Sequence, residues 1–462
     1  MGIFSTTAKG IGFLIKGVVL SKKTGARFAS GSETGDFLNR SNTGLLLDGV
    51  DKRLSDKNSF QNVAVVARVG AGKTSRYIIP NVIDKAKSIC SLVVNDPKGE
   101  VYQATSGYMA RNGFNVLVLN PEDLNNSNRF NPLAEAKTNI ELEQIAEILV
   151  KCGNPSEKSG EFWNQGAIRF VSLFLKALNN IGRFQPEYLN LANLLFLFQN
   201  FGDDGRALDD FMLKATINPD DPQDQSMFAE WRGLLTGNEE GIRSFVLNAI
   251  TALKALSNPS VRYLTAQSDF DLSSIRERKT IIYLITPPQH AEYYSFLTSI
   301  FFRSVFNVCM RKMPDKHTFP VYILYDEFGH STIPNFVSVA NTIRGYKVSL
   351  SIILQSMAQL NARYGRDYAQ SIQGGFSTYM TYSGADIETA KFFESIIGRV
   401  RERKKNDYEQ ITDAYKEYNL LNSNEIRTLK DDESLIVSSN KHPIILKSKA
   451  YFEQSRFKNI TS

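Results

Sequence analysis

The sequence predicts an α/β protein with a mainly parallel central sheet, broken by an all-helical insertion. Three observations carry this. Short, near-continuous apolar runs at Val63–Val66, Ser91–Asn95, Asn115–Leu119, Thr280–Ile285, Val321–Tyr325 and Val348–Leu354 have the pattern of strands buried on both faces. Helical patterns lie between them, notably Glu100–Asn112 and Tyr293–Arg311. From about Asn139 to Ser257 the strand pattern stops and helical periodicity takes over, an insertion of about 120 residues, which is a plausible domain size.

In chain order, residues 1–60 are rich in Gly, Ser, Thr and Lys with weak periodicity, and predict an irregular lead-in. Its apolar patch, Ile11–Leu20, is short and interrupted by Lys16. A membrane-spanning helix needs about 20 apolar residues, so a packed segment or a surface anchor is expected, and no signal peptide with a cleavage site is visible. Residues 61–138 open the α/β part. Residues 139–257 form the insertion, with candidate helices at Ile140–Lys151, Phe162–Asn180, Leu189–Asn200, Leu208–Ala215, Met227–Gly233 and Ile242–Leu256, and loop chemistry at Gly153–Gly160 and Asn218–Asp224. Residues 258–462 complete the α/β part. There Asp386 caps a helix that Gly398 stops, and Ser434–Ser438 with Ile444–Lys447 predict a hairpin at the sheet edge.

The totals narrow the class. With 462 residues, one to three domains are expected and core size is no limit. A net charge of +6 permits contact with nucleic acid or anionic lipid without demanding it. Cys90, Cys152 and Cys309 stand apart in apolar surroundings, which suits buried thiols in a reducing compartment. The four histidines are scattered and form no metal-binding pattern.

The chemistry gathers around Asn62–Asn81, NVAVVARVGAGKTSRYIIPN. A strand, a glycine turn, Lys-Thr and then a helix is the phosphate-binding arrangement of P-loop nucleotidases. Here Val69, Gly70, Ala71, Gly72, Lys73, Thr74 and Ser75 would cradle the phosphates, with backbone N–H groups and the helix N-terminus supplying positive potential. Lys73 would reach the β- and γ-phosphates and Thr74 would hold Mg²⁺. Ala67 stands where the full pattern has glycine.

Ligands of open parallel sheets bind beyond the carboxyl ends of the strands, and the predicted strands end on Asp96, Thr286, Asp326 with Glu327, and Gln355. Val321–His330, VYILYDEFGH, is the acidic strand that partners a P-loop. Asp326 would bind Mg²⁺, and Glu327 would orient or deprotonate the attacking water. Gln355 would hold that water or report on the γ-phosphate, or else cap its loop. Arg344 is either a finger reaching into a neighbouring subunit's site or a surface ion-pair partner. The basic run Arg399–Lys405 is either a solvated face or a contact for phosphate backbone.

Taken together these pieces resemble the coupling proteins of type IV secretion and conjugation systems, the TraG/TraD-like DNA-transfer ATPases. The likeness runs from about Gly44 to Tyr451. It rests on the P-loop, SLVVNDPKGEVY (Ser91–Tyr102), RFNPL (Arg129–Leu133), the Phe162-Trp163 pair, SDFDLSSIRERKTIIYLITPP (Ser268–Pro288) and Tyr325–Gly365, followed by SGADIETAKFFESIIG and LLNSNEIRTL. The resemblance implies a RecA-like motor domain with an all-α insertion, assembled as a hexamer. It implies ATP and Mg²⁺ as cofactors and DNA, relaxase-linked DNA or effector protein as cargo, moved toward a secretion channel. It also implies a cytoplasmic protein. Such proteins usually carry an N-terminal anchor of two spans that is not visible here, so either a partner holds the chain peripherally at the bacterial inner membrane or it belongs to a soluble branch. Lys73, Thr74, Asp326 and Glu327 fall on the family's nucleotide-site positions, Gln355 on its sensor glutamine and Arg344 on a trans-acting arginine; Asp96 and Lys98 fall in a further family motif.

Two other functions compete. One is a substrate-recruiting adaptor whose nucleotide site is only structural, an idea prompted by Ala67 and the missing anchor. The other is a small GTPase or kinase, set aside because no Asn-Lys-x-Asp guanine-reading motif occurs.

Overall fold

The computed structural model describes residues 24–155, 160–216, 222–405, 411–457 and 460. The Ile11–Leu20 patch lies outside them, as do parts of the loops expected at Gly153–Gly160 and Asn218–Asp224. Twelve strands occur among the described residues: β1 (Thr24–Gly25), β2 (Val63–Val66), β3 (Ser91–Asn95), β4 (Asn115–Leu119), β5 (Thr280–Leu284), β6 (Val321–Tyr325), β7 (Val348–Leu354), β8 (Thr378–Tyr382), β9 (Arg399–Lys405), β10 (Ile411–Asn419), β11 (Glu433–Ser438) and β12 (Ile444–Lys447).

Nine of these form one sheet in the order β12-β11-β8-β2-β7-β6-β3-β5-β4. Every pairing from β8 across to β4 is parallel, whereas β11 runs antiparallel to both β8 and β12. One edge of the parallel part is therefore covered by a hairpin, as expected from Ser434–Lys447, while β4 forms the other edge. Burial explains the unbroken apolar runs. Along β2, Ala64 and Val66 point into one core while Val63 and Val65 point into the other. The same alternation holds in β6, where Ile323 and Tyr325 face one way and Tyr322 and Leu324 the other. With apolar packing on both sides, successive residues all need apolar side chains.

Four strands, β1, β8, β9 and β10, escaped the sequence criteria. β8, TYMTY, carries a hydroxyl at every position except its central Met380: Thr378 Oγ1 lies 2.9 Å from Ser438 Oγ and Tyr379 OH donates to Gln373 O at 2.6 Å, while the buried Tyr382 OH finds no hydrogen-bond partner among the described residues. The basic run Arg399–Lys405 is strand β9, paired with β10 and β1 in a separate antiparallel sheet, with Arg399, Arg401 and Arg403 exposed. There Arg401 Nε lies 2.6 Å from a Glu417 carboxylate oxygen.

Between β4 and β5 every described element is helical, including Asn139–Gly153, Glu161–Gly182, Leu191–Gln199 and Glu239–Ala252. One helix begins at Pro222, inside the expected loop, where the missing N–H of proline costs nothing in a first turn. These helices share a core of their own around Trp231, Phe174 and Phe198, and Trp231 Nε1 donates to Asp209 Oδ1 at 2.8 Å. That core also takes in Leu133, Leu264 and, from the start of helix Ser295–Met310, Phe296 and Ile300. The described part of the lead-in is tightly packed: Leu38, Leu45, Leu46, Leu47 and Leu54 are buried, mostly in the core beneath helix Ile79–Lys85. Lys85 Nζ, itself buried, donates to the carbonyls of Thr43 (2.7 Å) and Gly44. No helix among the described residues is long and apolar enough to cross a membrane.

Candidate nucleotide site

Because β2, β7, β6, β3 and β5 are parallel and adjacent, their carboxyl ends open onto one edge. A cavity of about 550 Å³ lies there, lined by Gly70, Gly72, Lys73, Thr74 and Ser75 from the loop after β2. Asp96, Thr286, Asp326, Glu327 and Gln355, the five polar strand ends expected from the sequence, line the same cavity. Strand order fixes their arrangement. β7 lies between the loop strand β2 and the acidic strand β6, so Gln355 emerges between Lys73 on one side and the two carboxylates on the other.

The loop turns on Gly70 (φ +79°) and Gly72 (φ +86°). A side chain would be strained at either, and over Gly70 the space within 4 Å is open. Val69 is exposed at the rim, whereas Ala71 packs toward the core. The methyl of Ala67 is buried in the core below and does not line the cavity. Its N–H extends the ladder to Leu354 O at 3.0 Å. The helix that follows begins as a π turn, Thr74–Ile78, before continuing as Ile79–Lys85. Pro80 explains the wide turn, since its ring cannot donate to the carbonyl four residues back and would crowd it in a regular α-helix.

Lys73 is only 7% exposed, and its Nζ donates to Ala67 O at 2.8 Å. Burial lowers its pKa, while the charges of Glu327 and Asp326 oppose the shift. All three groups therefore share one small electrostatic environment. Asp326 is equally buried, and burial pushes its carboxyl up to about 7, with the Glu327 charge adding to the shift and Lys73 opposing it. Its Oδ1 accepts from Glu327 N at 3.0 Å, and Asn95 Nδ2 donates to its carbonyl at 2.7 Å.

Glu327 behaves differently from its neighbour. Burial alone would raise its carboxyl, but His330, Lys73 and Gln355 together pull it below the ordinary value. Gln355 Nε2 donates to Glu327 Oε2 at 2.8 Å, and His330 Nε2 lies 3.3 Å from the same oxygen. The backbone of Glu327 is left-handed (φ +52°), a conformation uncommon for a non-glycine residue and a mark of local strain at sites of function. Asp96, pushed up to about 6 by burial, accepts from Tyr102 N at 2.8 Å.

Of the expected site residues, Ala71 does not line this cavity, and neither does Arg344. It is exposed in the turn before β7, at the opposite end of that strand from Gln355. Seven residues at about 3.3 Å each separate the two by roughly 23 Å. The sequence reading missed His330, Arg68, Tyr451 and Phe452, which also line the cavity. His330 was legible in principle, because a turn directly after an acidic strand returns its third residue toward the strand end.

The chain matches, over residues 23–462, the family described as type IV secretory system conjugative DNA transfer. It is 24% identical over 414 residues to the protein VirD4 of Rhizobium radiobacter, a match covering 86% of this chain and 58% of the relative. To the VirD4 of Agrobacterium fabrum it is 23% identical over 417 residues, covering 86% and 59%. The chain thus spans a little under three fifths of the length of these relatives. Among solved structures it is similar to the plasmid coupling protein TrwB in complex with ADP and Mg²⁺, with a TM-score of 0.71 at 15% identity over 94% of this chain and 96% of that one. The unbound monoclinic form of TrwB lacking its first 70 residues gives 0.70 at 15% identity, covering 93% and 94%. At such identity the likeness speaks for the fold, a RecA-like P-loop NTPase. With the family pattern extending over almost the whole length, the chain belongs to the type IV secretory system conjugative DNA transfer family.

Proposed function

We propose that this chain is the motor part of a coupling protein, an ATPase that recruits DNA, relaxase-linked DNA or effector protein and drives it toward a type IV secretion channel. The observation that carries the reading is the meeting of Lys73, Thr74, Asp326, Glu327 and Gln355 around one cavity. The residues fit a nucleotide triphosphate with Mg²⁺. The glycine turn leaves open space above it, a buried ammonium stands near one buried and one half-buried carboxylate, and a hydroxyl and a carboxylate are the hard oxygen donors that Mg²⁺ takes. Bound there, Mg²⁺ would neutralise phosphate charge and keep the terminal phosphoryl group in line for attack.

In this reading Val69–Ser75 hold the phosphates and Thr74 and Asp326 hold the metal. Glu327 is the base. Its Oε2 is occupied by Gln355 and His330, so Oε1 is left to accept a proton from water. Pinning one oxygen fixes the direction of the other, which is what general-base geometry requires. The lowered carboxyl keeps Glu327 ionised, while raised Asp326 gains a reason to bind a cation.

Ala67 gives no support to a merely structural nucleotide site, since its methyl is in the core. Residues 139–257 are assigned as the separate all-α unit, 61–138 and 258–462 as the two parts of the motor domain. Arg344, distant from its own cavity, would act on a neighbour's in a ring of six, and a partner would hold the assembly at the inner membrane from the cytoplasmic side. Mass measurement of the purified chain with a non-hydrolysable ATP analogue, with and without single-stranded DNA, tests this. Nucleotide-bound hexamers formed with DNA are expected, and a monomer without bound nucleotide in both conditions would overturn the proposal.

A further inference from the structure

We infer that Tyr451 and Phe452 form the platform on which the nucleotide base stacks, so that the C-terminal segment completes the nucleotide site. The inference rests on the phosphate-site reading above and adds the part of the ligand that reading leaves unplaced.

Sheet topology puts the aromatic pair where a base would arrive. The carboxylates follow β6, two strands to one side of the loop strand β2. The β11–β12 hairpin lies on the other side. Since β11 runs against the parallel strands and β12 runs back with them, the chain leaves β12 at the same edge as the phosphate loop. A triphosphate whose terminal phosphate meets Asp326 and Glu327 extends its ribose and base away from them, across Thr74 and Ser75. The Tyr451–Glu453 turn packs against Thr74–Ile78 on that side. Both aromatic residues line the cavity together with Ser75 and Ile79.

The platform is held in place. Lys449 N donates to Asp48 O at 3.0 Å, and Gln454 Nε2 donates to Gly49 O at 2.9 Å. Gly49 (φ +73°) sits so close to Lys449 that an added side-chain carbon would lie 2.5 Å from its carbonyl oxygen and 3.0 Å from that of Arg76. The strap is thus clamped to the helix that begins at the phosphate loop. Tyr451 is half-buried against the core and stands edge-on to Phe452, their centroids 5.4 Å apart. Phe452 is 61% exposed. A large aromatic face left open in the wall of the cavity matches the flat π-surface of a base, and stacking of this kind tolerates different bases.

The test is calorimetric titration of the full chain with ATP, GTP and inorganic tripolyphosphate, comparing wild type, Phe452→Ala and Phe452→Tyr. Tripolyphosphate has no base, so it reports on the phosphate loop alone. Phe452→Ala is expected to raise Kd about tenfold for ATP and GTP, about 1.4 kcal/mol, to leave tripolyphosphate unchanged, and to be rescued by Phe452→Tyr. Equal ATP affinity in wild type and Phe452→Ala, with tripolyphosphate still bound, would overturn the platform alone. Equal losses for nucleotides and tripolyphosphate would also overturn it, by assigning Phe452 to the loop's structure. A wild-type chain that binds none of the three would overturn the nucleotide-site reading and the platform with it.

Discussion

Replacing Asp326 by Asn should remove metal-dependent chemistry while making the protein more stable at pH 8. Burial carries the Asp326 carboxyl from its ordinary value near 3.8 to about 7. A group raised in this way binds its proton more tightly in the native state than in the unfolded one. Its contribution is therefore fully present below the ordinary carboxyl range and is lost as pH rises through about 7. At about 1.36 kcal/mol per pH unit, holding the carboxylate charged above that pH costs up to about 4 kcal/mol. Asparagine avoids this cost and can keep the acceptor for Glu327 N, but its amide N–H₂ faces the Lys73 ammonium and gives back about 1–2 kcal/mol. A net gain of about 2 kcal/mol remains at pH 8, a few degrees in Tm for a chain of this size. Thermal unfolding in chelator at pH 5 and pH 8 measures it. The variant should melt higher at pH 8 and level with wild type at pH 5, and adding Mg²⁺ with ATP should stabilise only wild type. A variant that melts lower than wild type at pH 8 would refute the reasoning.

Further expectations follow from the same contacts. Glu327→Gln keeps the shape but not the basicity of the residue, so turnover should fall by about 10²–10⁴ while ATP affinity, measured by titration, stays within a few-fold. His330→Ala removes one of the two donors that orient Glu327, and steady-state kinetics should show kcat down by about three- to tenfold with KM unchanged, most of it regained in His330→Gln. Lys85→Met leaves the carbonyls of Thr43 and the buried Gly44 without their ammonium, and a loss of about 2–3 kcal/mol should appear as a lower Tm, together with easier proteolysis of the lead-in.

Much of the site was legible because parallel sheets concentrate their polar groups. Each apolar run that ended on Asp96, Thr286, Asp326 or Gln355 delivered its residue to one edge, and the glycine turn marked which edge mattered. What stayed hidden depends on strand pairing across long stretches of sequence. β8 buries the Thr378 hydroxyl where Ser438 of β11 supplies its partner. β9 showed no apolar run because it lies in a separate sheet with its arginines exposed, Glu417 of β10 standing opposite Arg401. The place of Phe452 depends on β11 pairing with the distant β8, although the β11–β12 hairpin itself was legible. Arg344, read as a finger for a neighbouring subunit's site or a surface ion-pair partner, is exposed at the far end of β7 from its own cavity.

ATP turnover with and without single-stranded DNA, set beside Lys73→Ala, tests the central claim most directly. Turnover in wild type that rises with DNA, and is absent in Lys73→Ala under both conditions, is the result the account predicts. A rate that DNA leaves unchanged and that Lys73→Ala reproduces would contradict it.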